Sequence, residues 1–201
     1  GSYDANGSFD ASTGTIDFNN GNGQLYVSNS TVTSFGSLDD ATGTVVYVGT
    51  SAQTIDEAET FYSLKVDNSS GVTLNEAVGV NGTLNMTSGN IVNPSNVLTV
   101  GSSAGAGSIS HTSGIVTGKL RQYFANATGS KFFPIGIVGS STTMRDVTVD
   151  FTSAPGANQY LTASYNAGYP QANDGADLYA GLPLTSADGQ LIQNYDDDGY
   201  W

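Results

Sequence analysis

The stretch Ser63-Leu64-Lys65-Val66-Asp67-Asn68-Ser69-Ser70-Gly71-Val72-Thr73-Leu74-Asn75, followed by Val80-Asn81-Gly82-Thr83-Leu84-Asn85-Met86-Thr87-Ser88-Gly89, decides how this chain folds. Leu64-Lys65-Val66 and Leu84-Asn85-Met86 are the same short strand written twice, two apolar anchors around a polar residue. Alternation along a strand sends the anchors to one face and Lys65 or Asn85 to the other. Upstream, Gln24-Leu25-Tyr26-Val27 and Thr44-Val45-Val46-Tyr47 repeat the pattern. The leading anchors fall at 25, 45, 64 and 84, steps of 20, 19 and 20 residues. Three of these strands follow a glycine, Gly23, Gly43 or Gly82.

A second ladder of apolar positions runs through Val32, Ile55, Val72/Leu74 and Ile91, and a third through Phe61, Val80 and Leu98/Val100. Between them lie Asn, Gly, Ser and Thr, as in Asn68-Ser69-Ser70-Gly71 and Ser88-Gly89-Asn90. Such residues tolerate left-handed backbone and bond their own main chain, so they turn the chain between strands. A repeat of about 20 residues with three short strands fits a parallel β-helix-like solenoid. An antiparallel sandwich is the alternative, since its strands also recur at short intervals. The period favours the solenoid.

The texture changes near residue 112. Longer strands follow, at Val116 to Phe124, Lys131 to Ile135, Met144 to Phe151 and Tyr160 to Tyr165. Val147, Val149 and Phe151 alternate with Thr148 and Asp150, a pattern of antiparallel sheet with one wet face. The expectation is an all-β chain: a solenoid over 1–112, then an antiparallel β-sandwich over 113–201. The end at Gly199-Tyr200-Trp201 reads as a sandwich cut short, and the opening Gly1-Ser2 as a cloning remnant.

Composition narrows the function. Lys and Arg total 5 against 18 Asp and Glu, a net charge of −13. Nucleic acid and anionic membrane surfaces are repelled by that balance. There is no cysteine, which removes disulfides, thiol catalysis and thiolate metal sites together. No run of 18 apolar residues exists to insert into a membrane.

The segment 63–89 resembles repeats of large secreted surface proteins of Bacteroidota, adhesin-like substrates of the type IX secretion route. Gly118-Lys119-Leu120-Arg121, Phe133-Pro134-Ile135-Gly136, Arg145-Asp146-Val147-Thr148-Val149 and the terminal Gly199-Tyr200-Trp201 resemble the segment that follows such repeats. The resemblance covers roughly residues 40–152 and the last three. It implies a secreted or outer-surface location and an adhesive or scaffolding role, and it brings no catalytic residues.

No residue pattern argues for catalysis. A glycosidase needs convergent carboxylates, and Asp56, Glu57 and Glu59 read as a solvated turn. His111 is the single histidine, in Ser108-Ile109-Ser110-His111, without the partners of a triad. It reads as a surface or boundary residue. Tyr165, Tyr169 and Tyr179, beside Gly and Pro in the C-terminal half, are candidate platforms for a sugar or a partner protein. Asn194, Asp196 and Asp198, followed by Gly199, match the first half of a calcium loop. An acidic hairpin turn is the favoured reading of the same residues. Asn173-Asp174-Gly175-Ala176-Asp177 is a weaker calcium candidate. An ice-binding face is not expected, because the outward positions Tyr26, Lys65, Thr73 and Asn85 are mixed.

The sequence therefore points to a non-enzymatic extracellular module, a stalk or spacer with a surface-attachment role. The alternative is a carbohydrate-binding module using the tyrosine-rich loops, with calcium as a candidate aid. The expected partners are an extracellular glycan or surface protein, and neighbouring segments of a longer parent chain.

Overall fold

The computed structural model describes residues 9–18, 21–28, 31–138, 142–156, 158–167 and 199–200. The described residues are all-β, with no helix. The chain forms two compact units, Gly1–Ser164 and Tyr165–Trp201.

In the first unit the 20-residue pattern becomes three stacked ladders. The first ladder stacks Gln24–Val27, Thr44–Tyr47, Ser63–Asp67, Thr83–Ser88 and Ser108–His111, all parallel. Leu25 lies over Val45, Val45 over Leu64, Leu64 over Leu84 and Leu84 over Ile109, so the anchors expected from the sequence are in register. The second ladder stacks Phe9, Val32 and Ile55, with Ile55 paired to Leu74; alongside, Val72 pairs Ile91 and Ile91 pairs Val116. The third pairs Phe61 with Val80 and Val80 with Val100. Neighbouring strands in such a stack lie about 4.8 Å apart.

Alternation fills the interior. Leu64, Val66, Leu84, Met86, Phe61, Val80, Leu98 and Val100 are all buried. Each large apolar side chain so buried stabilises the fold by about 1.5–3 kcal/mol. Phe9, Phe35 and Phe61 run as an interior aromatic column, with centroids 5.8 Å and 5.6 Å apart. The polar groups inside are bonded at the corners. Gln53 Nε2 donates to the Val27 carbonyl at 2.9 Å, and Asn68 Nδ2 donates to Gln53 Oε1 at 2.9 Å and to the Ser51 carbonyl at 2.8 Å. Asn93 Nδ2 joins the last two coils through the Lys119 carbonyl at 3.0 Å.

Tyr47 departs from this pattern. It is fully buried on the inward side of the first ladder, and its hydroxyl has no hydrogen-bond partner. Burial, then the negative charges of Glu59, Asp56 and Glu57, push that hydroxyl well above the ordinary tyrosine range, so it stays neutral. An unsatisfied buried hydroxyl costs about 1–3 kcal/mol. Tyr47→Phe is therefore expected to raise stability by about 1 kcal/mol in denaturant unfolding. A loss of stability of that size would show that the hydroxyl is bonded in solution.

The parallel stack does not stop at residue 112. Val116–Tyr123 pairs in parallel with Ile91–Val100, first in the second ladder (Val92 with Thr117) and, after a shift, in the third (Leu98 with Leu120). The segment read from sequence as the opening strand of a sandwich is thus another coil. Its length misled: one strand serves two ladders, and the corner between them is Gly118 alone, at φ 86° over the Asn93 carbonyl. A side chain there would strike that carbonyl.

Antiparallel pairing does begin beyond this coil. Tyr160–Ala163 lies antiparallel on Val116–Tyr123, Gly129–Phe133 pairs with Val147–Phe151, and Gly136–Val138 pairs with Thr142–Met144. Among the described residues these are one added strand and two two-stranded ladders, not two packed antiparallel sheets. The segment Phe133-Pro134-Ile135-Gly136 closes the end of the stack. Phe133 and Ile135 are fully buried, Val116 bridges to Ile135, the Val116 amide donates to the Pro134 carbonyl at 2.7 Å, and Gln122 Nε2 donates to the Phe132 carbonyl at 2.6 Å. In the second unit, Asn166–Ala167 pairs antiparallel with Gly199–Tyr200.

Candidate functional site

The candidates taken from sequence fare unequally. Tyr165 is only 8% exposed, so it offers no open ring face as a binding platform. Tyr169, Tyr179, Asn194, Asp196 and Asp198 lie outside the described residues, as does the 173–177 segment. No cluster of three or more potential metal ligands occurs among the described residues. No helix there is long and apolar enough to cross a membrane.

The acidic run 56–59 splits by role. Asp56 accepts from the Thr54 hydroxyl at 2.9 Å and from Asn75 Nδ2 at 2.5 Å. Glu57 accepts the Phe35 amide at 2.9 Å from the preceding coil. Both tie coils together. His111 places Nε2 2.8 Å from the Gly114 carbonyl and its ring 5.3 Å from Phe132, a residue at the boundary of the stack.

The outward positions of the second ladder are more regular than the sequence reading allows. Thr31, Thr54, Thr73, Val92 and Thr117 stand in one row on five successive coils. The row was hidden because its members belong to strands of unequal length, and only the pairing register aligns them.

The third ladder carries a furrow of about 290 Å³, lined by Glu59, Thr60, Val78, Gly79, Val97 and Thr99 with Ala58 and Ala77. Its floor follows from the register. Gly79 lies between Thr60 and Thr99 on the outward face, and the missing side chain leaves the dent. A Cβ at Gly79 would meet Thr60 Oγ1 at 3.2 Å. Glu59 closes one end. Its carboxyl is held above the usual carboxylate range by burial, reinforced by the charges of Glu57 and Asp40, while the Thr60 amide it accepts at 2.8 Å acts the other way. A carboxyl raised in the folded state destabilises the fold once it ionises. Stability should therefore fall as pH rises from the ordinary value near 4.5 through the raised one. Glu59→Gln should melt higher than the parent at neutral pH and equally below that window; the same difference at every pH would contradict the reading.

At the other end of the furrow, Val97 pairs with Lys119 and Thr99 with Arg121. Arg121 Nε donates to Thr162 Oγ1 at 3.1 Å, and the guanidinium sits 4.4 Å from the centre of the Tyr160 ring. Tyr160 is 51% exposed and leans on Tyr123, centroids 5.2 Å apart. The sequence reading missed this site. The signal was the spacing Lys119-Leu120-Arg121, which puts two cations on one face, and Val78-Gly79-Val80, which puts a glycine outward.

No family model, curated protein or solved structure matches this chain.

Proposed function

We propose that this chain is a structural and adhesive module of a secreted or outer-surface protein, in which the solenoid acts as a stalk or spacer. The observation that carries this reading is the register: five strands of the first ladder stack without interruption, each anchor over the last. Repeats that touch only their neighbours make length adjustable, which suits a spacer. The outer positions Asn85, Ser110, Thr73 and Thr117 are uncharged and polar, and Lys65, in the same row as Asn85, is paired with Asp67 at 3.0 Å, which fits a wet surface. The antiparallel strands after Gly129 would belong to a sandwich-like cap, and neighbouring segments of a longer parent chain would continue the module. Attachment to a surface protein or glycan completes the adhesive part of the reading.

Deleting residues 64–83 tests the spacer reading. The deletion joins Ser63 to Leu84, so that Leu84 takes the place of Leu64. The shortened chain is expected to fold cooperatively and to lose about 4.8 Å of length in solution scattering. Loss of folding, or an unchanged length, would sink the idea of interchangeable coils.

A second reading, a carbohydrate-binding module, draws support from the furrow and from exposed Tyr160. The tyrosine-loop and calcium version is tested on a glycan array with calcium and again with a chelator. Chelator-sensitive binding supports a calcium role for Asn194, Asp196 and Asp198, and chelator-insensitive binding counts against it.

A further inference from the structure

We infer that the furrow on the third ladder, together with Lys119 and Arg121 beside it, binds an extended carbohydrate chain bearing carboxylate groups. This deepens the carbohydrate-binding reading, on which it rests, and is independent of the spacer reading.

The chemistry of the furrow matches a sugar. Gly79, Ala58 and Ala77 give an uncrowded floor, Val97 gives apolar surface for C–H faces, Thr60 and Thr99 bring two hydroxyls from the outward row, and Glu59 lines one end. Carbohydrates present that mixture of apolar faces and hydroxyl rims. Thr60, Gly79, Thr99 and Arg121 follow one another coil by coil on the outward face. Three steps of the stack cover about 14 Å, so the row suits an extended oligomer better than a single ring.

Charge identifies the kind of sugar. The chain carries only 5 basic residues against a net charge of −13, and Lys119 and Arg121 are two of them, two residues apart on one strand. Lys119 is exposed. Arg121 is held by Thr162 and the Tyr160 ring, and this fixes its guanidinium before any ligand arrives. A pre-positioned guanidinium binds a planar carboxylate through two parallel N–H donors, at a lower entropic cost than a free arginine. Glu59 lies at the opposite end of the furrow. A uronate chain would therefore set its carboxylates against Lys119 and Arg121 and its hydroxyls against Glu59 and the threonines. An electrostatic contribution of this kind weakens as salt rises.

The test is calorimetric titration of the full chain with oligogalacturonate and with oligoguluronate, and with cellohexaose as the neutral control. Binding of at least one acidic oligomer is expected, with affinity falling as salt rises. Gly79→Leu, which fills the furrow, and the double variant Lys119→Ala/Arg121→Gln should each weaken it by about tenfold, equivalent to about 1.4 kcal/mol. Thermal melting of each variant confirms that it is folded, and Lys119→Ala alone serves if the double variant is not. Three results would overturn the proposal: no acidic oligomer binds, cellohexaose binds as tightly, or folded variants bind like the parent. None of these touches the coil-deletion result, so the spacer reading stands or falls separately.

Discussion

Gly89→Ala is expected to destabilise the protein by about 3–5 kcal/mol, enough to unfold much of a marginally stable domain. Gly89 sits at the corner between the first and second ladders with φ 83°, a backbone region that costs a residue with a side chain about 1–3 kcal/mol. The second cause is contact. A Cβ there would fall inside the Asn68 carbonyl of the coil beneath, and Gly114 packs against the Gly89 carbonyl in the same way from the coil above. The backbones of successive coils touch at this corner, so neither can move aside without breaking the Asn68 hydrogen bonds to Gln53 and Ser51. Gly105→Ala is the control. Nothing lies within 4 Å of its Cβ position, and its stability should stay within about 0.5 kcal/mol of the parent. Urea denaturation of the two variants checks the contrast. Equal midpoints would mean that the coils are not in backbone contact.

Phe133→Ala should cost about 3–5 kcal/mol, the range for truncating a buried aromatic side chain. The side chain is fully buried beside the last coil, and the segment that carries it also supplies the Val116–Ile135 bridge and the carbonyls that receive Val116 and Gln122. Losing the plug exposes more than a cavity. The outer edge of Val116–Tyr123 near Val116 becomes a row of free backbone donors and acceptors, and unpaired parallel edges recruit other chains. The variant is therefore expected to self-associate as well as to melt early, which light scattering during thermal unfolding would record. Early melting without association would mean that the edge stays covered by something other than Phe133. A variant as stable as the parent would remove the plug from the account.

The sequence carried the solenoid because its signal is periodic. Leu25, Val45, Leu64 and Leu84 are spaced by the length of one coil, and stacking requires that spacing, so the register is legible in the spacing alone. The coil at Val116 escaped because its spacing breaks the rhythm. The loop 101–107 lengthens the step from Leu84 to Ile109, and Gly118 replaces a whole turn. A reading based on period ends where the period ends, although the stack does not. The candidate site was less legible. Furrow, threonine row and paired cations all depend on which residues of different coils become neighbours, and that follows from register rather than from local pattern. Tyr165 shows the opposite failure: glycine and proline nearby suggested a surface position, yet the ring is buried.

The central claim is that one parallel stack runs through residue 112 into Val116–Tyr123. The native chain has no cysteine, so a pair can be introduced cleanly. Val92 and Thr117 are register partners on the outward face, and the spacing of about 4.8 Å between neighbouring strands falls in the Cα range of roughly 4.4–6.8 Å that a disulfide tolerates. Oxidation of the Val92→Cys/Thr117→Cys variant is expected to close the disulfide quantitatively in the folded protein, without loss of stability. Two free thiols persisting in folded, oxidised protein would contradict the account and return residues 113 onward to a separate antiparallel domain.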